Sequence, residues 1–188
     1  STDHDQIADI AKSFGAEVPF KRPPAISEDV DTELVLQHAV NYLKEEENYE
    51  VDGVVLLQPT SPFRRAQTIK DSVDLFLDNP LADSVVTVTN VEGNRPEWML
   101  SIDGGKVVPY NTPFKEDGMP VIKLAARQSF PTLYKQNGVV YVTKKDLLMD
   151  KNLVIGPNAY ALAIDEGETI DIDTPTDFLV AEALMKQT

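Results

Sequence analysis

The sequence predicts a single α/β domain built on a mostly parallel sheet, and three observations predict it. Residues Gly53-Val54-Val55-Leu56-Leu57 and the run 84–89 are short, continuous and apolar, the pattern of strands buried on both faces. Amphipathic helical stripes alternate with these runs at the spacing of βαβ units, which close with right-handed crossovers. The 188 residues, 42% of them hydrophobic, suffice for one sizeable core and exclude a disordered composition.

Each element follows in order. Residues 5–14 read as a helix with Ile7, Ile10, Ala11 and Phe14 on one face, Gly15 as its stop and Asp3 placed to cap it. An α/β fold normally supplies a strand before such a helix, so the expectation is a chain that starts inside a domain. Residues 18–20 suit a short strand, closed by Arg22-Pro23-Pro24. A second helix over 31–47 buries Leu36, Ala39, Val40 and Leu43. The strand at 53–57 is expected to be central. It ends at Gln58-Pro59-Thr60-Ser61-Pro62, whose prolines cannot extend a ladder. A third helix, 66–77, points Ile69, Val73, Phe76 and Leu77 inward, and the strand 84–89 follows. Residues 97–110 form a hairpin turning at Asp103-Gly104-Gly105. Residues 111–136 are rich in Pro, Lys and Gly and lack periodicity, which marks a functional or interaction arm. A strand at 138–143, a helical turn at 144–149 and a strand at 160–164 lead to a final helix. Pro175 opens it, with Phe178, Ala181 and Leu184 inward.

The formal net charge of −14 repels nucleic acid and anionic membrane surfaces, so neither is expected as a partner. It also suits a polyanionic substrate poorly. Basic residues must therefore be locally concentrated, or a basic segment must lie outside this chain. No eighteen-residue apolar run occurs, and residues 1–10 lack a basic and apolar leader pattern, so neither a membrane span nor a secretory signal is expected. The absence of cysteine excludes disulfides, thiolate metal sites and cysteine nucleophiles. A cytoplasmic location fits. His4 and His38 have no acid at catalytic spacing, the glutamates at 45–47 read as a solvated helix end, and no nucleophile elbow, Gly-rich phosphate loop or zinc spacing occurs.

Three constellations carry chemistry. In Ile170-Asp171-Ile172-Asp173, alternation puts both aspartates on one face, about 7 Å apart along an extended chain. Two such carboxylates can share Mg²⁺, which completes its shell with phosphate oxygens and water. The same pattern also suits a solvated edge strand with Asp173 capping the next helix. The Gln58 loop lies at the carboxyl end of a strand, the edge where open α/β sheets bind ligands, and it also suits a rigid turn. Arg127-Gln128 and Asn137-Gly138 flank a proline-broken stretch. A guanidinium there can grip a substrate carboxylate with two bonds, or can simply be a surface arginine of the arm.

Taken together, these segments resemble the acylneuraminate cytidylyltransferase family. Ser1-Thr2-Asp3 with Gly15-Ala16-Glu17-Val18-Pro19-Phe20-Lys21-Arg22-Pro23 is similar to the family's opening STD…GAEVPFxRP. Leu56-Leu57-Gln58-Pro59-Thr60-Ser61-Pro62-Phe63-Arg64 is similar to its LLQPTSPxR loop. Arg127-Gln128, Pro131, Tyr134 and Asn137-Gly138-Val139-Val140-Tyr141 match its RQxxPxxYxxNGxxY stretch, and residues 170–178 match its closing IDIDxxxDF. The four motifs stand in the family's order and span nearly the whole chain.

The resemblance implies a three-layer, Rossmann-like fold of the nucleotide-diphospho-sugar transferase type. It implies one cytidylyltransferase domain over 1–188, N-terminally incomplete because the family's basic phosphate loop has no counterpart, with a dimerisation arm near 97–153. It implies that Asp171 and Asp173 are catalytic and hold Mg²⁺. Gln58, Arg127 and Tyr141 would line the sugar-acid site, with Arg127 on the carboxylate. Asn137 would orient groups near the metal and nucleotide, and Ser1 would lie against the cytosine. The implied substrates are CTP and a nonulosonic acid, joined with release of pyrophosphate by a homodimer. Trp98 stands where some sialate members carry a lysine near the sugar. Legionaminate or pseudaminate-like substrates therefore stay open, the PTSP loop leaning toward sialate and legionaminate. The alternatives are a 3-deoxy-octulosonate cytidylyltransferase, and a dimerising fragment of the family without turnover.

Overall fold

In chain order the helices are α1 (Asp5–Ser13), α2 (Thr32–Glu47), α3 (Ala66–Asp78), α4 (Lys145–Lys151) and α5 (Pro175–Met185). The strands are β1 (Gly53–Leu56), β2 (Ser84–Asn90), β3 (Leu100–Asp103), β4 (Lys106–Pro109), β5 (Lys115–Glu116), β6 (Met119–Pro120), β7 (Tyr134–Lys144) and β8 (Ala159–Ala163). They are taken from a computed structural model that describes residues 1–91 and 93–186. The central sheet has the order β1-β7-β2-β8. β2 and β8 run parallel, and β7 lies antiparallel to both β1 and β2. Three strands thus share one direction, and a single reversed strand separates β1 from β2.

The core sits where β2 meets β7. Val85, Val139, Val140 and Val142 are buried there under Ile69, Val73, Leu75, Phe76 and Ile164. Residues 84–87 are all buried, so both faces of β2 are covered, as a layered α/β domain requires. β-branched residues dominate this strand because they pack well on a pleated surface.

Several expectations change. Among the described residues β1 stands at one end of the four-stranded sheet rather than at its centre, paired with β7, and Val55 and Leu57 are exposed. Leu77 points outward at 68% exposure, and Leu75 takes its place in the core. Ser72 is fully buried and marks the centre of the inward face; five residues on, Leu77 is rotated about 140° away from it. In α5 Ala181 is buried while Phe178 and Leu184 are exposed. Residues 18–20 form no strand, only an isolated parallel bridge from Thr2 to Lys21. His4, not Asp3, is the N-cap of α1, and Asp3 faces Arg22 at 3.7 Å.

β7 begins four residues earlier than the sequence pattern suggests. Its register shifts between Val86 and Val88 of β2, beside Gly138, whose φ of +75° breaks the apolar alternation. The hairpin of β3 and β4 turns on Gly104 and Gly105, both with positive φ, which matches strand twist. Within 97–153, the β3–β4 and β5–β6 pairs lie outside the central sheet, whereas β7 and α4 belong to the body. Among the described residues no helix is long and apolar enough to cross a membrane.

Candidate active site

The parallel strands deliver their loops to one edge of the sheet. After β1 the chain folds into a turn, Ser61 N–H donating to the Gln58 carbonyl at 3.3 Å. Arg64 ties this loop to β7. Its Nε donates to the Val139 carbonyl and its Nη2 to the Gln58 carbonyl, each at 2.6 Å. Gly138 completes the fit: a Cβ there would lie 2.5 Å from Gln58 Oε1. Only glycine tolerates both that approach and the positive φ. Ser61 is buried beside them, and its Oγ has no hydrogen-bond partner among the described residues.

Asn137 is fixed by strand β2. Its Oδ1 accepts from Thr87 Oγ1 at 2.7 Å and from Val139 N–H at 3.2 Å, and its Nδ2 donates to Thr89 Oγ1 at 2.9 Å. Both ends of the amide are therefore engaged in shaping the β7 irregularity, with one N–H still to spare.

The segment 165–177 divides its carboxylates between two tasks. Glu168 is 4% exposed; it accepts from Thr68 Oγ1 at 2.5 Å and from Arg65 N–H at 3.1 Å, at the first turn of α3. Asp177 accepts from the N–H groups of Asp173 and Thr174 and from Thr174 Oγ1, which closes the capping box of α5. The Thr174 hydroxyl first, then backbone amides, hold the Asp177 carboxyl below the usual carboxylate range. Between these two anchors Ile172 N–H donates to the Thr60 carbonyl at 2.9 Å, docking the segment on the Gln58 loop.

Asp171 and Asp173 are exposed, and among the described residues their carboxylates accept no hydrogen bond and join no ion pair. Residues 170–173 form no ladder, yet the alternation persists: the two isoleucines are half-buried and the two aspartates face out. Thr174, rather than Asp173, caps α5.

Tyr141 pairs with Leu56 across the β1–β7 ladder. Burial first, then the nearby Asp171 carboxylate, raises its phenol pKa, so the hydroxyl stays a proton donor at neutral pH. Tyr141 lines a cavity of about 310 Å³ together with Leu56, Gln58, Glu33 and residues 153–155. The structure thus brings Gln58, Tyr141 and Asp171 to one place, with Asn137 next to the Gly138 against which Gln58 rests.

Arg127 and Ser1 lie elsewhere. Arg127 opens a short turn, Arg127–Ser129, and lines a polar cavity of about 260 Å³ with Gln128, Arg95, Asn90 and Thr132. That cavity shares no lining residue with the Tyr141 cavity. Ser1 is exposed, next to the buried Thr2 that bridges to Lys21. Trp98 packs edge-on against Phe130 at 6.0 Å, at the base of the arm.

Sequence reasoning missed Arg95, Glu168 and the task of Arg64. Only Arg64, lying inside a motif, carried a signal. Among the described residues no group of three or more His, Asp or Glu could hold a metal. The pair Asp171 and Asp173 still suits Mg²⁺, whose sites use one or two carboxylates with substrate phosphates.

The fold is that of a nucleotidyltransferase. A solved structure described as CMP:2-keto-3-deoxy-manno-octonic acid synthetase complexed with CTP superposes with a TM-score of 0.60. At 14% identity it covers 98% of this chain and 78% of that one. No family model matches the chain. Relatives narrow the class. A protein of Legionella pneumophila named CMP-N,N'-diacetyllegionaminic acid synthase is 35% identical over 192 residues, covering 99% of this chain and 76% of the relative. An N-acylneuraminate cytidylyltransferase of Streptococcus agalactiae is 23% identical over 179 residues, covering 95% of this chain and 40% of the relative. The chain belongs to the acylneuraminate cytidylyltransferase family and is an enzyme of the nucleotidyltransferase type.

Proposed function

We propose that the protein transfers CMP from CTP to the anomeric hydroxyl of a nonulosonic acid, releasing pyrophosphate. The observation that carries this reading is the docking of the Asp171–Asp173 segment on the Gln58 loop, which leaves both aspartates exposed and Asp171 beside Tyr141. Asp171 and Asp173 would hold Mg²⁺, which when bound would offset the charge of the triphosphate and align it for in-line displacement. Tyr141 would donate a hydrogen bond to the sugar acid. Gln58, locked by Arg64 and Gly138, would orient the sugar, and Asn137 would hold the strand irregularity that sets Gln58. Arg127 would take the sugar-acid carboxylate from the base of the arm, and Ser1 would lie toward the cytosine. These tasks are positioning and electrostatics, which is what phosphoryl-type transfer asks of a protein.

The Legionella relative's name favours a legionaminate-type acid. The 3-deoxy-octulosonate alternative rests on a likeness of fold at 14% identity, and the relatives do not favour it. The exposed apolar side chains of the arm, among them Leu100, Ile102, Val107 and Tyr110, support a homodimer formed through it. Use of CTP supports a cytoplasmic location.

Calorimetric titration of CTP with Mg²⁺ tests the reading. Metal-dependent binding is expected in the wild type and is expected to vanish in Asp171→Ala. Binding that ignores Mg²⁺, or survives this substitution unchanged, would sink it.

A further inference from the structure

We propose that Arg95 is a positioning residue for the sugar acid: it fastens the turn that presents Arg127 and Gln128. The proposal rests on the cytidylyltransferase reading above. Arg95 is 3% exposed, a depth at which a guanidinium needs partners for its charge and its donors. It has both. Nη2 donates to the Pro131 carbonyl at 2.7 Å. Nε donates to Glu97 Oε2 at 3.2 Å, and Nη2 reaches Glu97 Oε1 at 3.4 Å. The guanidinium also lies over the Phe130 ring, 5.1 Å from its centroid.

These contacts converge on residues 130 and 131, directly after the Arg127–Ser129 turn. The Phe130 N–H donates back to the Arg127 carbonyl at 3.3 Å. Ring, turn and guanidinium are therefore joined in one set of contacts. Trp98 and Phe114 hold the Phe130 ring from its edges, at 6.0 and 6.2 Å. Arg95 also lines the polar cavity into which Arg127 and Gln128 are placed. A lysine could not replace it. One ammonium cannot bond a carboxylate and a carbonyl in a fixed fork while stacking on a ring. Arg95 thus acts through Arg127, and its loss should weaken capture of the sugar acid while leaving the nucleotide unaffected.

The test is steady-state pyrophosphate release with N,N'-diacetyllegionaminate as the sugar acid. Arg95→Met is combined with Glu97→Gln so that no carboxylate is left buried alone. The KM for the sugar acid should rise about tenfold or more, with kcat and the KM for CTP within about twofold. Adding the pair to Arg127→Ala should raise that KM no further, because both changes remove one interaction. Arg95→Lys should show the same selective rise, and it carries the test if the double variant folds poorly. Equal losses for CTP and sugar acid, or effects that simply add to Arg127→Ala, would overturn the positioning role. Absence of release by the wild type would instead overturn the cytidylyltransferase reading and this inference with it.

Discussion

Around Gln58 the site is held by the backbone. Carbonyls of Gln58 and Val139 receive Arg64, the Thr60 carbonyl receives Ile172, and a glycine lets a side chain rest against the main chain. Around Arg127 the site is held by side chains: one buried guanidinium, its carboxylate and three aromatic rings at the base of an arm. The first arrangement is a loop bonded directly to β7 of the central sheet, so its geometry follows the β1–β7–β2 ladder. The second depends on an arm that lies outside that sheet. Sites carried on strands hold their geometry more tightly than sites on loops. On the proposed reading, Gln58 would thus be held for rigid alignment of the sugar, and Arg127 for adjustment to the substrate's substituents.

Four outcomes break or sharpen this contrast. The largest concerns Asp171, whose carboxylate is exposed and, on the proposed reading, would do chemical rather than structural work. Asp171→Ala should lower turnover by about 10²-fold or more. Its melting temperature should stay close to wild type, since an unpartnered exposed side chain contributes within about 0.5 kcal/mol. A clear drop in melting temperature would contradict the division of tasks.

Glu168 should show the reverse. Glu168→Ala leaves Thr68 and the Arg65 amide without their buried acceptor, a cost of about 1–3 kcal/mol. Thermal unfolding should shift down by several degrees in a domain of this size. Unchanged melting would show that the anchor is dispensable.

Gly138→Ala comes next. A left-handed backbone with a Cβ costs about 1–2 kcal/mol, and the methyl would push the Gln58 carboxamide away. Both melting temperature and the KM for the sugar acid should suffer. A change in only the first would separate Gln58 from substrate binding.

The smallest effect is the pH response of the α5 cap. Because the folded pKa of Asp177 is depressed, its contribution is present above the unfolded carboxyl pKa and is lost as pH falls through the folded value. Urea unfolding across mildly acidic pH should show stability declining as pH drops. Thr174→Val, which removes the hydroxyl that is the largest single cause of the shift, should flatten that decline, and an identical slope in the variant would refute the assignment.

Much of the body was legible in the sequence because local pattern determined it. The β2 run, the α3 stripe and the Gly104–Gly105 turn each carry a signal within a dozen residues. Leu77 was misplaced because the inward face of α3 is centred on Thr68 and Ser72, two polar residues that look like surface in a sequence. The first half of β7 was hidden by the break at Gly138.

At the site, the aspartate alternation was readable, and its survival without a ladder shows that extended chain suffices. Glu166 and Glu168 read alike in sequence, yet one is exposed and the other buried against α3. Arg95 likewise looks like any charged loop residue. Its burial depends on Phe130 and Pro131, some 35 residues away, and no local pattern encodes that.

On the proposed reading, the family activity would run through Asp171 and a nonulosonic acid. Pyrophosphate release from CTP with Mg²⁺ and N,N'-diacetyllegionaminate, compared between wild type and Asp171→Ala, tests it most directly. Release should require the sugar acid and fall by about 10²-fold or more in the variant. Release that proceeds without the sugar acid, that prefers a 3-deoxy-octulosonate, or that persists undiminished in Asp171→Ala would contradict it.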